Sequence, residues 1–116
     1  MDFNEYQSLA ARTARRKTDE TDHHRLTNFA LGLTGEAGEV ADAVKKAVFH
    51  GHLLTEDMLC KELGDVLWYV AALAGVMGLS LSEIAETNIA KLRARYPQGF
   101  SEEASRNRSD AGGGAA

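Results

Sequence analysis

Apolar residues recur along this chain at intervals of three and four, the spacing of one helix face, almost from end to end. The pattern predicts four helices and no sheet. A first helix is expected over residues 3–17, with Asp2 as its cap and Glu5, three residues on, as the capping-box partner. Residues 18–24 are polar, carry no apolar stripe and read as a loop. A second helix is expected over 25–50, its stripe formed by Leu33, Ala37, Val40, Val44 and Ala47/Val48, with Gly51 at its C-terminal end. Thr55 then caps a third helix, with Glu56 and Asp57 in the first turn where the helix dipole favours acids. It ends near Gly78. Ser80 and Glu83 form a capping box for a fourth helix that stops before Pro97.

The third helix differs from the others. Residues 66–79 contain no charge, and a helix that is apolar all round must be covered all round. Three short neighbours leave surface to spare in a chain of 116 residues, so this helix is expected to be the most buried and to lie in a dimer interface. Residues 1–100 read as one domain, and the polar segment 101–116, ending in a glycine- and alanine-rich run, reads as a disordered tail.

Composition narrows the function. The net charge of −4 and pI near 5.5 leave no basic footprint for a nucleic-acid polymer. An acidic protein that handles a polyanion needs a cation between the two. The one cysteine, Cys60, fits a reducing compartment and reads as a small buried apolar residue. The first sixteen residues lack the apolar core of a signal peptide, and the run 66–79 is too short to span a bilayer. A cytoplasmic location without membrane attachment is expected.

Candidate chemistry sits in two acidic pairs. Glu36 and Glu39 are three residues apart on the second helix, Glu62 and Asp65 three apart on the third. Three residues turn a helix by about 300°, so each pair projects from nearly one face. Like charges at that spacing repel, and the repulsion is met twice. Four carboxylates facing one another across a helical hairpin suit Mg²⁺ or Mn²⁺, hard cations that prefer oxygen. Gly35, Gly38 and Gly64 each precede one of these acids. A mid-helix glycine costs about 1 kcal/mol relative to alanine, so three of them argue for close approach by a helix or ligand. Tight helix packing alone would explain the glycines but not why they adjoin acids, and a solvated acidic face is the alternative to a metal site.

Other chemistries find less support. The one Glu-x-x-His match, Glu20 to His23, lies in the polar loop, and His50 and His52 have no zinc spacing. There is no Walker A loop, no Gly-x-Ser-x-Gly and no Cys-x-x-Cys. Lys46 shares the acidic stripe of the second helix. Asn88, Lys91 and Arg95 share one face of the fourth, a combination suited to phosphate oxygens and equally to an ordinary exposed helix end.

The segments Gly35-Glu36-Ala37-Gly38-Glu39-Val40-Ala41-Asp42 and Lys61-Glu62-Leu63-Gly64-Asp65-Val66-Leu67-Trp68-Tyr69 resemble the MazG-like all-α nucleoside triphosphate pyrophosphohydrolases, with their E-x-x-E and E-x-x-D motifs. Residues 88–97 resemble that family's last helix, so the similarity spans roughly 29–100. The single-domain length and Gly-Glu form resemble most the dCTP pyrophosphatase-like branch. Some relatives carry an acid directly before the first motif glutamate, where this chain has Gly35. The resemblance implies a four-helix bundle assembled as a dimer or dimer of dimers. It implies Mg²⁺ (or Mn²⁺) on Glu36, Glu39, Glu62 and Asp65, and cleavage of a nucleoside triphosphate between the α and β phosphates to a monophosphate and pyrophosphate. Asn88 and Lys91 are then expected at phosphate or sugar, with Arg95 and Tyr96 nearby. On charge alone, Lys46, Lys91 or Arg95 could offset the leaving pyrophosphate. The first helix and the stretch from His24 to Asn28 would shape the base pocket. The competing readings are a non-catalytic helical dimerisation or regulatory module, and a sibling activity such as dUTP or phosphoribosyl-ATP hydrolysis.

Overall fold

A computed structural model describes residues 1–108, and every element in it is helical. Helix α1 spans Phe3–Ala11, α2 Asp22–His50, α3 Glu56–Val76, α4 Leu81–Arg95 and α5 Glu102–Asn107. The four expected helices are present. The fifth corrects the reading of 101–116 as wholly disordered: Ser101 caps it, its hydroxyl accepting from the Ala104 amide at 3.0 Å. The remainder of the expected tail, 109–116, lies outside the described residues.

The helix ends show how local chemistry sets boundaries. Asp2 and Glu5 form the reciprocal capping box: Glu5 N donates to Asp2 Oδ1 at 2.8 Å and Asp2 N to Glu5 Oε2 at 2.7 Å. Helix α1 then stops six residues short of the expected end. The Thr13 hydroxyl bonds back to the Ala10 carbonyl at 2.7 Å and accepts the Trp68 indole N–H at 2.8 Å, which turns the chain out of the helix. Helix α2 starts three residues early because Thr21 caps it, accepting from His24 N at 3.1 Å. It ends at Gly51, whose φ of 70° is the left-handed conformation a side chain resists. Thr55 caps α3 as expected.

The chain forms two compact units, Met1–Leu81 and the residues from Ser82 onward. In the first, α2 and α3 are the principal packed pair and α1 lies on α3. A short link, 51–55, makes α2 and α3 an antiparallel hairpin. Gln7 of α1 ties the far end: its amide donates to the Ala71 and Leu79 carbonyls, and its oxygen accepts from Leu81 N at 2.8 Å. Phe29 anchors the middle, edge-on to Trp68 at 5.8 Å and tilted against Tyr69 at 6.4 Å.

That anchor also sets the rotation of α2, and here the expected stripe is corrected. The packed side of α2 runs through Phe29, Gly32, Leu33, Glu36, Val40, Ala43 and Ala47, while Ala37, Val44 and Val48 face outward. With Phe29 held between two aromatic rings, positions one and two turns on are dictated by the helical repeat. An acid, Glu36, therefore occupies a place in the packed stripe.

Helix α3 is the most covered element, holding Ala71 and Ala74 among the few buried residues. Val70 and Leu73 are half-buried. Within the single chain it is not covered all round: Leu63 is 50% exposed, and Cys60, expected to be buried, is exposed too. Beyond its ends Met77 is 62% exposed, and Phe49, in the last turn of α2, and Leu53, in the link, 76% and 75%. Among the described residues no single helix is long and apolar enough to cross a membrane.

Candidate metal centre

The α2–α3 hairpin brings three acids to one point. Glu36, Glu62 and Asp65 each offer a carboxylate oxygen, and these oxygens lie within 4.8 Å of one another. Glu36 and Glu62 are half-buried and Asp65 is exposed. Glu39, the fourth expected member, is exposed and stands outside this group, close enough to act on Glu36 through its charge. The hairpin thus joins one acid of the first pair to both of the second.

The electrostatics follow. The Glu36 carboxyl is held above its ordinary range, first by loss of water, then by the charges of Asp65, Glu62 and Glu39. Every neighbour that shifts it is acidic. The Tyr6 phenol of α1 is raised as well, by burial and then by Asp65, which places α1 beside the same cluster. A concentration of negative charge on hard oxygen donors is relieved by a divalent cation, and the mutual reach of the three oxygens fits one.

The other expected site residues fall elsewhere. Lys46 turns to Asp42, a 2.7 Å ion pair one helical turn apart that lowers the Asp42 pKa. Asn28 is exposed on α2. In the second unit, Asn88 and Lys91 are exposed on α4, and the half-buried Arg95 sets its guanidinium 5.9 Å from the Tyr96 ring. Tyr96 in turn packs on Phe100 at 5.4 Å.

The motif glycines need a correction. Among the described residues a Cβ added at Gly35, Gly38 or Gly64 meets nothing within 4 Å, so no described helix approaches them closely. The close approach is at Gly32, where a Cβ would lie 2.1 Å from Cε1 of Tyr69. Nothing in the residue pattern marked Gly32 above the other four glycines of α2 and α3.

A cavity of about 460 Å³ opens between α1 and α3. Gln7, Ser8, Arg25, Trp68, Ala72 and Gly75 are among its lining residues. Trp68 and Ala72 stand three and seven residues after Asp65, on the same side of α3, so the cavity continues the carboxylate face along the helix. Arg25 lies over the Phe29 ring at 5.3 Å, its Nη1 buried without a hydrogen bond and 3.8 Å from Glu20. The i, i+3, i+7 spacing from Asp65 was the available signal; the packing of α1 was not.

Comparison with known proteins agrees with the motifs. The family profile of the MazG nucleotide pyrophosphohydrolase domain matches residues 24–100. The Gene 37 protein of Mycobacterium phage L5 is 41% identical over 87 residues, which are 72% of this chain and 76% of that protein. No solved structure matches.

Proposed function

The chain belongs to the MazG nucleotide pyrophosphohydrolase family, and from that premise we propose that it hydrolyses a deoxynucleoside triphosphate, a pyrimidine one by preference, to the monophosphate and pyrophosphate. The observation that carries this is the meeting of Glu36, Glu62 and Asp65 within 4.8 Å. These three, with Glu39 beside them, hold Mg²⁺, or Mn²⁺ in its place. Bound there, the ion supplies a coordinated water of lowered pKa and screens phosphate charge.

The residues of the chain do the rest. Phosphoryl transfer needs positioning and charge neutralisation more than covalent help. A carboxylate not spent on the ion accepts the proton of the attacking water. Lys91 and Asn88 bind phosphate or sugar oxygens, with Arg95 at the end of the same helix and Tyr96 directly after it. Lys46, one turn beyond Asp42, offsets charge on the departing pyrophosphate. The cavity beside Trp68 receives the base: an indole and alanine–glycine floor suits a flat ring, and the unsatisfied Arg25 Nη1 suits a ring carbonyl. The stretch from Arg25 to Asn28 borders it.

The exposed apolar side chains at Met77, Phe49 and Leu53 support an assembly of at least two copies. The dCTP pyrophosphatase-like branch and a cytoplasmic role in controlling the nucleotide pool complete the proposal.

Hydrolysis of a nucleotide panel in ¹⁸O-labelled water, with Mg²⁺ and with chelator, tests it. Label in the monophosphate is the expected result. Label only in pyrophosphate or free phosphate means attack at another phosphorus. No Mg²⁺-dependent turnover of any triphosphate leaves the family's reaction unsupported in this chain.

A further inference from the structure

The three carboxylates come from two helices, so something must hold those helices at the right separation. A contact with no room for a side chain lies between them one turn away. Gly32 precedes Glu36 by four residues on α2, and Tyr69 follows Asp65 by four residues on α3. The hairpin is antiparallel, so the Gly32–Tyr69 contact sits about 6 Å along the axes from the Glu36–Asp65 contact.

At Gly32 there is no room for a side chain. A Cβ would fall 2.1, 2.5 and 2.7 Å from Cε1, Cζ and Cδ1 of Tyr69. Three ring atoms at such distances mean that the ring lies on the glycine itself rather than touching it with a flexible tip. Nor can the ring swing aside freely. It stands edge-on to Trp68 at 4.9 Å and tilted against Phe29 at 6.4 Å, and the Trp68 indole N–H is held by the hydroxyl of Thr13, in the turn after α1. The added methyl would be accommodated by moving α2 away from α3.

A small movement there matters at the acids. Mg²⁺ binds at about 2.1 Å in near-ideal octahedra, so two ligand oxygens on one ion stand about 3 Å apart. Carboxylates already spread over up to 4.8 Å have little reach left. Their side chains can close the remaining gap by rotation, but not if the helices part further.

We propose that Gly32 is the positioning residue of the carboxylate centre: by admitting the Tyr69 ring against its backbone, it sets the α2–α3 separation at which Glu36, Glu62 and Asp65 share one divalent ion. The inference rests on the metal-binding reading above. It assigns Gly32 and Tyr69 no contact with substrate or ion.

The test is a double-mutant cycle read by Mn²⁺ binding, followed as loss of the free-ion electron paramagnetic resonance signal, with circular dichroism to verify folding. Gly32→Ala is expected to weaken Mn²⁺ binding at least tenfold, the loss typical when support behind metal ligands is removed. Tyr69→Ala removes the ring, and in that background Gly32→Ala should change the affinity less than twofold. Folded Gly32→Ala protein that binds Mn²⁺ as the parent does overturns the positioning role alone. So does a methyl penalty that persists without the ring. If Gly32→Ala does not fold, Tyr69→Trp presses a larger ring on the intact glycine, and unchanged Mn²⁺ affinity there overturns the proposal. A parent protein that leaves the free Mn²⁺ signal untouched overturns the metal reading and the positioning role with it.

Discussion

Two acids of helix α2, Glu36 and Asp42, stand six residues apart and are treated in opposite ways. Asp42 meets Lys46 at 2.7 Å and Lys45 at 3.9 Å, and its pKa falls because hydrogen bonding and charge both favour the carboxylate. Glu36 meets Glu62, Asp65 and Glu39, and its pKa rises. One acid is compensated by its own helix. The other is turned inward against like charges from α3, with the nearest lysine of α2 engaged elsewhere. Placing an acid in a packed stripe beside two others destabilises a fold, and an ion that binds all three offsets that cost. The contrast separates an acid that serves the helix from one that serves a site.

Neutralising each acid in turn should sharpen the contrast most. Glu36→Gln is expected to reduce Mg²⁺-dependent turnover by roughly 100-fold or more, since even loss of support behind a metal ligand costs about 10–100-fold. The metal-free variant should melt above the parent, because like-charge repulsion is removed. Asp42→Asn should do the reverse, leaving turnover close to the parent and lowering the melting temperature slightly. A pyrophosphate-release assay and calorimetric melting in chelator measure both. Equal effects at the two positions would erase the distinction.

Phe29→Ala attacks the cause of the contrast. Phe29 is 6% exposed and is the anchor that turns Glu36 inward. Truncating a buried phenylalanine costs about 3–5 kcal/mol, and urea unfolding should show a loss in that range. Mn²⁺ binding should fall with it. Full Mn²⁺ affinity in the folded variant would mean that the rotation of α2 is held by something else.

The smallest effect concerns Lys46. Lys46→Met should return the Asp42 carboxyl towards its ordinary range, read by carbon-detected NMR titration. The sign for stability follows from the depressed pKa. Asp42 contributes stability that is present above its unfolded pKa and lost as pH falls through the lower folded value. The parent should therefore exceed Lys46→Met in stability near neutral pH, by an amount kept small by solvent screening, and the difference should close on acidification. An Asp42 titration unchanged by the substitution would show that the ion pair is not what sets it apart from Glu36.

Much of this was legible in the residues. The four longer helices, the capping box at Asp2 and Glu5, the cap at Thr55 and the stop at Gly51 depend on neighbours within four positions and are legible there, whereas the short α5 and the cap at Thr21 were missed. Thr21 was read as loop because residues 22–24 carry no apolar stripe, although a threonine hydroxyl needs none to cap a helix. The Asp42–Lys46 pair was there to be found by its i, i+4 spacing.

The acids of the site were named from the sequence because motif spacing constrains which side chains share a helix face. Spacing within one helix says nothing about rotation against another. That is why the stripe of α2 was misplaced towards Val44 and Val48, why Glu39 was expected at the point where only Glu36, Glu62 and Asp65 converge, and why the crowded glycine proved to be Gly32. The sequence by itself determined helices, caps and the presence of paired acids, since each is set by interactions along one segment of backbone. Tertiary structure alone decided which acid turns inward, which glycine a ring crosses and where a cavity opens, because these depend on how aromatic side chains far apart in the chain interlock.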